Sequence, residues 1–151
     1  MKVATEDLKK LRKETGVSVM QCKKALEEVE GDMEKAKEAL RKISKATAQN
    51  KAERNLGAGA VASYIHNGNT IGSMVELLCE TDFVAKNEGF TVLAREIAMH
   101  IAAMNPEDTE ELLKQEFIKN PEITVGGMIE EAIQKFGERT EIGQFARFSI
   151  K

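Results

Sequence analysis

The sequence predicts an α+β protein. A three-helix bundle occupies residues 1–43, a linker 44–58, and a core 59–151 in which a small antiparallel sheet of about three strands packs against helices. Three observations carry this. Apolar residues recur at helical spacing through 5–43. From residue 59 the period shifts to two, with Asn67-Gly68 between the alternating runs. Helical spacing then returns after Asn87, and alternation closes the chain.

The first helix spans roughly 5–14, with Leu8 and Leu11 inward, and stops at Thr15-Gly16, where glycine supplies the positive φ of a helix end. Ser18 caps a second helix whose stripe is Val19, Cys22, Ala25, Leu26 and Val29, and Gly31 ends it. Asp32 caps a third, carrying Met33, Ala36, Ala39, Leu40 and Ile43. Residues 44–58 are polar, basic and poor in large apolar groups, which marks a linker, helical in part. Val61, Ser63 and Ile65 then oppose Ala62 and Tyr64. The return strand sets Ile71, Val75, Leu77 and Cys79 against Met74, Glu76, Leu78 and Glu80. Asn87 caps a helix to about Met104 with a stripe of Phe90, Leu93, Ala94, Ile97 and Ile101, ended by Asn105-Pro106. Further helices are expected at 107–119 and at Thr124–Phe136, the latter broken by Gly137. The final strand sets Ala146, Phe148 and Ile150 opposite Phe145, Arg147 and Ser149.

A net charge of −3 lacks the basic excess of a general nucleic-acid binder or a membrane-surface protein. No apolar run approaches the roughly 20 residues that span a bilayer. The charged N-terminus lacks a signal peptide's apolar stretch, so the cytoplasm is the expected compartment. Cys22 and Cys79 form no disulfide framework and lie on apolar faces, where Cys behaves as a small hydrophobe. With His66 and His100 they make no metal-ligand spacing, and His100 is expected to be a satisfied structural histidine. No nucleophile elbow or phosphate-binding glycine loop is present, so no catalytic residue, metal or cofactor is expected.

Residues 80–90, ETDFVAKNEGF, place an aromatic in an expected loop. Either Phe83 folds back as a staple for the next helix, or Asp82 and Phe83 project toward another protein. Met20 falls about 160° from the centre of its helix stripe, so it either packs on the preceding loop or meets a partner.

TGVSVMQCKKALEEVEGDMEKAKEALRK, taken with TDFVAKN, AMHIA at 98–102 and the closing ARFSI, resembles the bacterial elongation factor Ts family over nearly the whole chain. The resemblance implies a ubiquitin-associated-type N-terminal module and a non-catalytic guanine nucleotide exchange factor for elongation factor Tu, in its GDP-bound and nucleotide-free states. It implies that Thr81, Asp82, Phe83 and Val84 intrude beside the partner's nucleotide and help dislodge its Mg²⁺. Met20, Gln21, Lys23 and Lys24 would contact the same GTPase, with Lys51 in the linker as a further contact. Longer members of that family duplicate the core half. The single half here implies a homodimer through the core sheet, and the charge balance and short apolar runs point to neither nucleic acid nor membrane as a partner. A peptide-binding adaptor of the ubiquitin-associated type and a thiol or metal enzyme are the alternatives. The first has no use for the TDFV stretch, and the second needs an exposed, activated cysteine.

Overall fold

Gly16 and Ser18 decide where the first two helices part. In the computed structural model, which describes residues 3–50 and 54–150, the side chains of 47–50 excepted, α1 spans Thr5–Thr15. It ends where Gly16 adopts a φ of 69° and donates its N–H to the Arg12 carbonyl at 2.8 Å. Helix α2 (Val19–Glu28) starts at Ser18, whose hydroxyl accepts the Gln21 N–H at 3.4 Å. Asp32 opens α3 (Met33–Asn50), its Oδ1 accepting the N–H groups of Glu34 and Lys35 at 3.1 Å each. Between Met33 and Asn50 the chain has neither glycine nor proline, and α3 therefore runs past residue 43 into the stretch expected as linker.

The chain divides into two units, one of Met1–Ala52 with Glu130–Gly137, the other of Glu53–Ile129 with Glu138–Lys151. The core of the first is Leu11, Val17, Cys22, Ala25, Leu26, Ala36 and Leu40. Burying each large side chain of this set contributes about 1.5–3 kcal/mol. Val19, expected in the apolar stripe, is instead 43% exposed. Val17 takes the inward place: it immediately precedes the cap residue and shares the core with Cys22 one turn into α2, the arrangement of a hydrophobic staple.

In the second unit β1 (Ala58–Ile65), β2 (Ile71–Cys79) and β5 (Glu141–Ser149) form an antiparallel sheet in the order β1-β2-β5. This is the α+β architecture expected. The hairpin also forms, but positive φ falls on Gly68 (93°) and Asn69 (61°) rather than on Asn67. The pairing leaves four residues between His66 and Ile71, closed by the His66 N–H on the Ile71 carbonyl at 2.8 Å, and a longer loop moves the strained positions along. Ser73, Val75, Leu77 and Cys79 point inward and are buried. Helix α5 (Glu88–Met104), capped by Asn87 on the Gly89 N–H at 2.8 Å, covers that face with Phe90, Ala94, Ile97 and Ile101, all fully buried.

The helix expected over 107–119 is shorter. Helix α6 stops at Thr109–Lys114, and β3 (Glu116–Phe117) pairs with β4 (Asn120–Thr124) before α7 (Val125–Phe136). Partners distant in sequence take the backbone groups a longer helix would have used. The Ile118 N–H donates to His100 Nδ1 at 3.2 Å, and the Gln115 carbonyl accepts the Val125 N–H at 3.0 Å. A bulge in β5 sets Phe145 opposite Val75 and Ile142 opposite Leu77.

Candidate partner-binding site

The TDFV stretch is a turn of helix rather than a loop. Thr81 is the N-cap of α4 (Asp82–Ala85), its hydroxyl accepting the Val84 N–H at 3.4 Å. The Thr81 and Asp82 carbonyls accept the N–H groups of Ala85 and Lys86 at 3.2 and 3.0 Å. Helical geometry then sorts five consecutive side chains. Val84 and Ala85 turn inward and are buried, whereas Thr81 and Asp82 are exposed and Phe83 is 87% exposed. The staple alternative for Phe83 is thereby overturned, since the inward place belongs to Val84. Leaving an aromatic ring in water forgoes the stabilisation its burial would give, so its placement favours a surface that something else covers.

The base of α4 is held from far along the chain. Glu138, in the loop between α7 and β5, accepts the N–H groups of Glu80 and Thr81 on one carboxylate oxygen at 3.1 and 3.0 Å. Its other oxygen accepts the Thr81 hydroxyl at 2.7 Å. In return, the Glu80 carboxylate accepts the Arg139 N–H at 2.6 Å. Sequence reasoning missed Glu138, and no local signal could have found it, because its role exists only once residues 57 and 58 positions apart meet.

Cys79, one residue before this clamp, is buried, and its Sγ donates to the Thr81 carbonyl at 3.3 Å. Burial, and then the negative charge of Glu138, push its thiol pKa up. A protonated, enclosed thiol is not an activated nucleophile. Cys22 is likewise buried. His100 is fully buried and spoken for: Nε2 pairs with Gln115 Oε1 at 2.9 Å while Nδ1 accepts from Ile118, and burial pushes its pKa down. Among the described residues no group of three or more His, Cys, Asp or Glu is placed to hold a metal ion, and no helix is long and apolar enough to cross a membrane.

On α2, Met20 is 81% exposed, and Lys23 and Lys24 are exposed beside it. Lys23 lies 3.8 Å from Glu27. Gln21 is half-buried, its Oε1 accepting the Gln134 amide at 2.8 Å, so less of it is open to a partner than of Met20. Lys51 lies outside the described residues. A second exposed apolar surface is the outer face of the sheet. Val61, Ile65, Met74 and Phe148 are 54–76% exposed there; the pairs Ile65–Gly72 and Gly72–Phe148 form one row, Ser63–Met74 the next, and Val61–Glu76 the third. The terminal alternation had already put Phe148 and Ile150 on one side.

An exposed aromatic on a buttressed helical turn is a surface of the class that suits the binding of another protein. Comparison with known sequences carries this further. A family model described as "Elongation factor TS" matches residues 80–151, and one described as "Elongation factor Ts, mitochondrial, N-terminal" matches residues 1–53. The elongation factor Ts of Carboxydothermus hydrogenoformans is 39% identical over 193 aligned positions, covering 98% of this chain and 89% of its own. That of Thermosipho melanesiensis is 38% identical, with 98% of both chains covered. The Aquifex aeolicus protein is 43% identical over 156 positions, covering all of this chain and 54% of its own. The chain belongs to the elongation factor Ts family, and is thereby an elongation factor of protein biosynthesis. The first of these alignments runs longer than this chain's 151 residues, so that relative carries residues absent here.

Proposed function

We propose that this protein is a guanine nucleotide exchange factor for elongation factor Tu, acting in the cytoplasm without covalent chemistry of its own. The observation that carries the mechanism is Phe83, 87% exposed at the outer side of α4 while its neighbour Val84 anchors the turn. Of the segment Thr81, Asp82, Phe83 and Val84, the exposed first three enter beside the partner's nucleotide, and Val84 holds the turn that presents them. Phe83 gains about 1.5–3 kcal/mol when a partner's apolar side chains enclose it. Bound Mg²⁺ bridges the nucleotide phosphates and a few protein oxygens. A wedge that shifts the elements bearing those oxygens displaces the ion, and GDP loses the charge that held it. Asp82 competes for polar partners in the disturbed site. By linkage, a factor that prefers the nucleotide-free GTPase weakens nucleotide binding by the same factor that nucleotide weakens its own.

Met20, Lys23 and Lys24 form the second contact of this reading, with Gln21 at its edge and Lys51 as a further contributor. Met adapts to an irregular surface, and the two lysines add charge that steers encounter. The outer face of the sheet joins two copies of the chain, covering Val61, Ile65, Met74 and Phe148, which otherwise stay in water. Nucleic acid and membrane have no place in this scheme.

Release of fluorescent GDP from bacterial elongation factor Tu, chased with excess unlabelled GDP, tests the reading. Acceleration by the wild type and little by a folded Phe83→Ala variant supports it. No acceleration by the folded wild type overturns it in favour of an adaptor that binds without exchange.

A further inference from the structure

A four-residue helix has too few internal hydrogen bonds to persist unaided, so the direction in which Phe83 projects depends on what holds the ends of α4. Val84 and Ala85 anchor one side by burial. At the N-terminal end the anchor is Glu138. Its carboxylate accepts three hydrogen bonds at 2.7–3.1 Å, two from the backbone of Glu80 and Thr81 and one from the Thr81 hydroxyl. An ionised carboxylate can only accept, so the Thr81 hydroxyl must be the donor. That leaves the hydroxyl's lone pairs for the Val84 N–H, the bond that caps α4.

Glu138 is itself held. The Thr140 hydroxyl, on a residue only 1% exposed, donates to the Glu138 carbonyl at 3.2 Å. Arg139 gives its N–H to Glu80 and its guanidinium to Glu141 at 2.6 and 2.9 Å. The two segments therefore grip each other, Glu138 holding 80–81 and Glu80 holding 139.

We propose that Glu138 is a positioning residue for nucleotide exchange: its carboxylate fixes the Thr81 cap and so the projection of Phe83 from α4. This rests on the reading that Phe83 enters the partner. Glu138 touches neither nucleotide nor reacting atom; it acts through Thr81.

The test compares wild type, Phe83→Ala, Glu138→Ala and Glu138→Gln in GDP release from elongation factor Tu, titrated to saturation. Amide hydrogen exchange at Ala85, Lys86 and Asn87, whose N–H groups close α4, is followed in parallel. Glu138→Ala is expected to lower the saturating rate about tenfold, to change the half-saturating concentration less than about threefold, and to lose protection at those amides while α5 keeps its own. Glu138→Gln keeps a carbonyl oxygen for the two N–H groups and an amide for the Thr81 hydroxyl, so it should recover most of the rate. A merely structural glutamate would lower thermal stability without splitting the saturating rate from the half-saturating concentration. Wild-type exchange by Glu138→Ala, or undiminished protection of α4, overturns the inference while the reading stands, provided Phe83→Ala is impaired. Full activity of Phe83→Ala would instead sink the reading and this inference with it.

Discussion

Phe83 and Val84 are adjacent in the chain and opposite in environment, 87% and 6% exposed, because one turn of helix rotates them to different sides. Truncating the exposed one should therefore separate function from stability. Phe83→Ala is expected to lower saturating GDP release at least tenfold while shifting unfolding free energy by no more than about 0.5 kcal/mol, the usual range for an exposed site. Stopped-flow release and a thermal melt check the two halves. A large stability loss would mean that the ring packs in the free protein.

Met20 calls for a different kinetic signature. It lies on α2, remote in sequence from α4, and its proposed role is docking rather than wedging. Met20→Ala should raise the half-saturating concentration about five- to tenfold, an energy of roughly 1–1.4 kcal/mol, and leave the saturating rate unchanged. A fall in the saturating rate with unchanged affinity would contradict that division of labour.

The outer sheet face predicts the assembly state. Phe148, 76% exposed and paired in register with Gly72, is the most exposed large apolar side chain of that face and projects from the edge strand β5. Analytical ultracentrifugation at micromolar concentration should find the wild type as a dimer and Phe148→Lys as a folded monomer. A monomeric wild type would remove the sheet face from the proposal.

His100 sets a pH dependence. Burial holds its pKa below the ordinary value of 6.5, so the unfolded chain takes up its proton at a higher pH than the folded one. The unfolded state binds more protons in the window just below 6.5, and stability therefore falls as pH falls through it. Urea midpoints at pH 7.5 and 5.5 should show this loss, and a His100→Gln variant should show less of it. A wild-type midpoint that is flat or rises on acidification would contradict the assignment.

Part of the candidate site is legible in the sequence. The offset of Met20 from the Cys22/Leu26 stripe is a matter of helical angle, and α2 exposes it as that angle requires. The presence of an aromatic at 83 was equally plain, but its direction was not. A loop and a one-turn helix read alike over four residues, and only helical φ/ψ gives Val84 the inward place. Val19 leaves the stripe its spacing predicts for a related reason: at a helix start, a residue outside the helix can take the inward place, and Val17 does.

Local chemistry sufficed wherever a residue acts on near neighbours. Ser18, Asp32 and Asn87 cap helices within three residues, Gly16 and Gly137 end them, and alternation yields the three strands of the sheet. Tertiary structure decided what depends on partners brought from afar. His100 draws the Ile118 N–H, so 116–124 becomes a small hairpin instead of a helix. Glu138 finds Thr81 across 57 residues. The physical reason is common to both. A buried or capping polar group must be satisfied by whatever donor or acceptor the packed chain supplies, and periodicity in the sequence carries no record of which one that is.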